Sequence, residues 1–146
     1  MKAGLENVLN VFQGIVPPPP IAKLLGFSIS DVSDGRVEIA FTADEKIHAN
    51  PMGTLHGGVL CDIADAAMGL AYATTLDEGE TYTTIELKIN FLKPVRNSTL
   101  RAVGKVVKRG QTIGLLECDV LDERNKLVAR ASSTCMALRG RKARGR

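Results

Sequence analysis

Residues 57–75 read GGVLCDIADAAMGLAYATT, the longest stretch of the chain compatible with a helix and the one whose placement decides the fold. It is apolar on nearly every side and rich in Ala and Gly, so the spacing predicts a core helix that lets neighbouring elements come close. Such a helix needs a surface to cover it on all sides. Upstream, residues 27–32 and 36–42 read as two strands, with Val37, Ile39 and Phe41 alternating against Arg36, Glu38 and Ala40 and with Ser33-Asp34-Gly35 as the turn. Downstream, residues 82–92 put Ile85, Leu87, Ile89 and Phe91 on one face and Thr84, Glu86, Lys88 and Asn90 on the other. Three further strands, near 99–108, 112–121 and 127–138, are joined by short polar turns at Arg109-Gly110 and Asp122 to Asn125, which imply antiparallel hairpins. The order predicts an α+β chain in which one curved antiparallel β-sheet wraps around one long central helix. An open sheet leaves edges, and pairing of two copies into a continuous sheet is the expected remedy.

Ahead of the strands, residues 4–13 place Leu5, Val8, Leu9 and Phe12 at helical spacing before Pro17 to Pro20 interrupt the backbone. Ile21 to Leu25 read as one more turn, closed by Gly26. The expected organisation is a short N-terminal helix and Pro-rich link over residues 1–24, one folded domain over 25–138 and a basic tail over 139–146. That tail carries five positive charges, so the formal charge of +3 leaves the body at −2. A nucleic-acid surface would need a basic stripe interleaved with aromatics on the folded domain, and none is expected here. Cys61, Cys118 and Cys135 are odd in number and form no CxxC pair, which argues for reduced, buried thiols and against a disulfide framework or a zinc site. No apolar run approaches membrane-spanning length and no leader pattern opens the chain, so the expected location is cytoplasmic, away from membranes.

The chemistry concentrates in residues 48–65, HANPMGTLHGGVLCDIAD. Two glycines directly before a helix let the backbone approach a ligand, and first-turn amides have no partners within the helix. The amides of Gly57 or Gly58 suit a carbonyl oxygen that gains charge in a transition state. Asp62 and Asp65 lie three apart, on nearly the same side of the helix. A buried carboxylate needs a dedicated partner or a ligand cavity, and spacing alone leaves open which of the two acts and whether that side faces solvent. His56 could polarise a carbonyl or orient a water. Cys61 has no base beside it in any catalytic pattern and reads as core. The chain has no G-x-S-x-G elbow, P-loop or strand-linked G-x-G-x-x-G.

The run Asn50-Pro-Met-Gly-Thr-Leu-His56-Gly57-Gly58, with Asp65 following, resembles the hotdog-fold thioesterase superfamily, specifically the phenylacetic acid degradation-type acyl-CoA thioesterases. The resemblance spans roughly residues 25–138. It implies a hotdog fold and hydrolysis of an acyl-CoA thioester to a free acid and CoA. Asp65 matches the family's helix carboxylate, nucleophile or general base on water. Gly57 matches the amide donor to the thioester carbonyl. Asn50 and His56 match the loop residues that position water and thioester, and Thr84 falls where relatives carry Ser or Thr beside the carboxylate. Asp62 matches no catalytic position. The resemblance further implies sites shared between subunits, Asn50 and His56 from one and Asp65 and Thr84 from the other, in a homodimer expected to assemble as a dimer of dimers. No cofactor is expected, CoA being part of the substrate.

Two other activities share the fold. The hydratase type resembles an Asp five residues before its histidine, where this chain has Pro51, and the dehydratase type pairs its histidine with a helix Glu, where this chain offers Asp62 and Asp65. A non-catalytic acyl-CoA-binding protein is the third alternative. For the substrate, Lys93, Arg96, Lys108 and Arg109 near strand ends are candidates for the CoA phosphates, with solvated surface charge the other explanation. Gly58, Met52, Met68 and Phe91 are candidates to line the thioester and acyl path, though core packing explains the Met and Phe residues equally well.

Overall fold

The computed structural model describes residues 1–145; Arg146 of the basic tail lies outside them. The described elements run α1 (Ala3–Phe12), α2 (Pro20–Leu25), β1 (Phe27–Ser33), β2 (Arg36–Ala43), α3 (Glu45–His48), α4 (Gly57–Ala73), β3 (Thr81–Phe91), β4 (Ser98–Arg109), β5 (Ile113–Leu121) and β6 (Leu127–Leu138). A 3-10 turn, Gly140–Ala143, follows. The strands form one open antiparallel sheet in the order β1-β2-β4-β5-β6-β3, which leaves β1 and β3 at its edges.

Helix α4 packs on one face of this sheet and touches all six strands. Its Leu60, Ile63, Ala67, Met68, Ala71 and Tyr72 are buried with Val37, Ile39 and Phe41 of β2, Leu100 and Ala102 of β4 and Leu116 and Val120 of β5. Burying a side chain such as Ile63 or Met68 stabilises the fold by roughly 1.5–3 kcal/mol. The small residues act as expected: a Cβ on Gly104 of β4 would stand 2.4 Å from the Ala67 carbonyl, so only glycine lets sheet and helix approach this closely. At its C-terminal end, Thr74 and Thr75 lie just past the helix and donate their hydroxyls to the carbonyls of Ala71 and Tyr72 at 2.7 Å.

Two expectations need correction. Helix α4 is not covered on all sides, because the sheet lies on one side only: Gly58, Asp62 and Asp65 form an exposed stripe, and Cys61 beside them is half-buried. The uniform alternation expected of residues 82–92 is also broken. Thr84 pairs with Cys135 and Glu86 with Thr134, so Ile85 is an extra residue in the edge strand and is 52% exposed. This bulge switches the facing parity. Tyr82 and Thr84 before it, and Leu87 and Ile89 after it, all face the helix side.

The N-terminal helix and its Pro-rich link pack on the body. The Gly4 amide donates to the Leu76 carbonyl at 3.1 Å, and Val8 and Ala22 are buried in the common core. At the start of the basic tail, Arg139 pairs with Glu80 and donates to the Gln111 carbonyl at 2.7 Å.

Candidate active site

The loop before α4 is braced at every turn. The Asn50 amide donates to the Thr54 carbonyl at 2.7 Å; its side-chain oxygen accepts from the Met52 and Thr54 amides at 3.0 and 3.1 Å, and its Nδ2 donates to Thr54 Oγ1 at 2.8 Å. Asn50 thus builds the turn with its own oxygen and keeps one Nδ2–H for a further partner. From outside, Arg96 donates to the Gly53 carbonyl at 2.9 Å. His48 is structural: its Nδ1 accepts from the Asp44 amide at 3.1 Å, its carbonyl holds the His56 amide at 2.9 Å and its ring tilts against Phe41.

His56 is the N-cap of α4, its Nδ1 accepting from the Gly58 amide at 2.8 Å. The neutral ring therefore carries its proton on Nε2, a donor on an exposed side chain. Gly58 is engaged in the cap, whereas the Gly57 amide has no acceptor among the described residues and points from the first turn of the helix. Gly57 leaves the Phe91 ring its place, because a Cβ there would lie 2.7 Å from the ring and force it to move. A cavity of about 350 Å³ opens here, lined by Asn50, Thr54, Gly57, Phe91, Lys93 and neighbours.

Two turns along the same helix, Asp65 Oδ1 accepts from Thr84 Oγ1 at 3.0 Å. Asp62 and Asp65 stand at the edge of a second cavity of about 420 Å³, otherwise lined by Val11, Phe12, Pro18, Pro19, Ile21, Ala22, Phe27, Ser28, Ile29, Ala66, Leu70 and Tyr82. Partial burial pushes the Asp62 carboxyl above its ordinary range, with the Asp65 charge adding to it. Burial, followed by the charges of Asp62 and Asp65, likewise raises the Cys61 thiol, the opposite of what a nucleophilic thiolate requires. The rise of 1.5 Å per residue puts Gly57 and Asp65 about 12 Å apart along the axis. Asp65 and Thr84 are thus together in one chain, and Asn50, His56 and Gly57 are together at a different place.

The remaining candidates divide. Met52 is 75% exposed, while Met68 is fully buried among core side chains. Lys93 pairs with Asp122, whose carboxyl is drawn down to about 2, chiefly by the Lys93 hydrogen bond and by the backbone amides of Lys126 and Arg124. A third cavity of about 360 Å³, lined by Lys93, Arg96, Arg124, Asp122 and Glu123 among others, shares Lys93, Pro94 and Val95 with the one at Gly57. Arg109 donates to Thr75 Oγ1 at 3.1 Å, lies 4.8 Å over the Tyr72 ring and pairs with Glu80, at the end of α4 opposite Gly57. The adjacent Lys108 is exposed. The wall of the Asp65 cavity formed by residues 11–22 is not visible in the sequence, where a short helix followed by four prolines reads as a link; the apolar Phe12 and Ile21 flanking those prolines were the signal available.

Comparison with known proteins adds three observations. The model of the thioesterase superfamily matches residues 52–129. A relative in Halobacterium salinarum that bears an esterase name is 31% identical over 120 residues, 80% of this chain and 79% of the relative; the 1,4-dihydroxy-2-naphthoyl-CoA hydrolase of Listeria monocytogenes is 25% identical over 84% of this chain and 98% of its own. Among solved structures, the thioesterase HI1161 of Haemophilus influenzae superposes with a TM-score of 0.80 at 27% identity, covering 90% of both chains. The Escherichia coli PaaI protein from the phenylacetic acid degradation operon superposes with 0.82 at 22% identity over 94% of this chain and 98% of its own, a likeness of fold.

Proposed function

The chain belongs to the thioesterase superfamily and is a hotdog-fold thioester hydrolase, and on that premise we propose that it hydrolyses acyl-CoA as a homodimer whose sites are each built from two subunits. The observation that carries this reading is the separation within one chain of the carboxylate pair, Asp65 and Thr84, from the donors at Gly57 and His56. A carbonyl carbon in contact with Asp65 cannot also place its oxygen about 3 Å from an amide about 12 Å away. A second copy, facing the exposed stripe of α4 and pairing along edge strand β3, brings its own Gly57 and His56 to this chain's Asp65.

In such a site the Gly57 amide and His56 Nε2–H take the charge that develops on the thioester oxygen. Thr84 holds Asp65 Oδ1, leaving Oδ2 to attack the carbonyl carbon or to take a proton from the attacking water. Asn50 offers its free Nδ2–H to that water. CoA leaves as the thiol after accepting a proton. Its pantetheine arm runs from the Gly57 cavity over Lys93 to Val95, and its phosphates reach the outer cavity with Arg96 and Arg124.

The test is thiol release from a panel of acyl-CoAs, run beside sedimentation of the same sample. A dimer that liberates thiol supports the reading. A protein that binds acyl-CoA with no turnover would make it a binding protein instead.

A further inference from the structure

The cavity beside Asp65 is larger and more apolar than a thioester carbonyl needs, and six of its fourteen lining residues come from ahead of the sheet. That segment is held at both ends. At one end Gly4 sits so tightly on the end of α4 that a Cβ would lie 2.0 Å from the Ala73 carbonyl. At the other, α2 closes on Gly26 in the left-handed conformation and Phe27 enters β1. Pro17 to Pro20 stiffen the path between, with Pro20 opening α2. A segment fixed at both ends and rigid between them is a wall, not a mobile lid.

We propose that the end of α1, the proline link and the start of α2 form the wall of the acyl pocket, and that it selects medium-length apolar acyl groups over short ones. This rests on the acyl-CoA hydrolase reading and names its substrate class. An apolar cavity of about 150 Å³ holds a benzene molecule. The 420 Å³ here is nearly three times that space. Scaled from the benzene case the space holds about seventeen carbon-sized atoms, and leaving about three of them at the end toward Asp65 for the thioester gives an upper bound of about fourteen acyl carbons. A butyryl group would leave most of Phe12, Ile21, Ala22 and Leu70 without a partner.

The test uses two variants of opposite sign in the full-length protein. Ala22→Phe fills the cavity and Phe12→Ala opens it. For each, kcat/KM is measured on butyryl-, octanoyl-, decanoyl- and palmitoyl-CoA, and affinity for the non-hydrolysable thioethers S-ethyl-CoA and S-octyl-CoA is measured by calorimetry. The wild type is expected to bind S-octyl-CoA at least about tenfold more tightly than S-ethyl-CoA. Ala22→Phe should cut the decanoyl-to-butyryl ratio of kcat/KM by about tenfold or more, and Phe12→Ala should move the preferred chain two or more carbons longer. If Ala22→Phe does not fold, Phe12→Ala, at a partly exposed position, decides alone. Turnover with a chain-length profile unchanged in folded variants overturns the inference while leaving the hydrolase reading intact. Retained preference for S-octyl-CoA with no turnover of any acyl-CoA overturns the hydrolase reading and supports the pocket.

Discussion

Thr84 Oγ1 donates to Asp65 Oδ1 across 3.0 Å, and the contact exists because the next residue, Ile85, is a bulge. Without it, a strand that turns Leu87 and Ile89 toward the helix would turn Thr84 away. The extra residue lets one strand present both an apolar face to the core and a hydroxyl to the carboxylate.

Thr84→Val should therefore lower kcat by about tenfold to a hundredfold with a small change in KM, since it removes a hydrogen bond to a charged group at nearly constant volume. Thr84→Ser should restore most of the loss. Steady-state kinetics of the two variants checks this, and equal defects in both would mean the methyl group matters more than the hydroxyl.

Asp65→Asn should reduce thiol release by several orders of magnitude while leaving the melting temperature similar or higher, because Asp65 is exposed in the monomer and its charge serves function. Asp62→Asn should cost far less. An assay in which the two exchange roles would reassign the carboxylate to Asp62, which stands in the same cavity.

Much of this was legible in advance. The order of elements along the chain, the apolar helix and the His-Gly-Gly start follow from alternation, from small residues and from two glycines at a helix entry. The bulge was not, because Ile85, Leu87, Ile89 and Phe91 satisfy a period of two perfectly; only pairing with β6 reveals that Ile85 is surplus. The open side of α4 was partly written in Gly58, Asp62 and Asp65. An apolar helix of this composition is nevertheless equally compatible with full burial, and one sheet covers only one side. The wall contributed by residues 11–22 depends on Gly4 docking at Leu76, a long-range contact that no local pattern announces.

Ile85 is also a test of the dimer. It is 52% exposed on an edge strand that otherwise has no partner on its outer side among the described residues. Ile85→Lys should convert the dimer to monomer and lower kcat/KM by about a hundredfold or more, with the far-UV spectrum retained. A fully active monomer in sedimentation would contradict the two-subunit site.

Asp122 sets a pH dependence of stability. Its carboxyl is held near 2 in the folded protein, below the ordinary value of about 3.9 in the unfolded chain, so its contribution is present above about pH 4 and is lost as pH falls through about 2. Asp122→Asn should melt lower than wild type at neutral pH, and the two melting curves should converge near pH 2. A constant gap over that range would show that Asp122 acts through packing and not through its charge.

The central claim is that one active site draws on two chains, and mixing two inactive proteins tests it most directly. His56→Ser keeps a capping hydroxyl on α4 while removing the Nε2 donor, and Asp65→Asn removes the carboxylate. In a mixed dimer one site has both groups intact and the other has both lesions. With random pairing half the dimers are mixed and half of their sites are whole, so co-expression should restore about a quarter of wild-type thiol release. No recovery, with mixed dimers confirmed by native mass spectrometry, would mean that each chain builds its whole site alone.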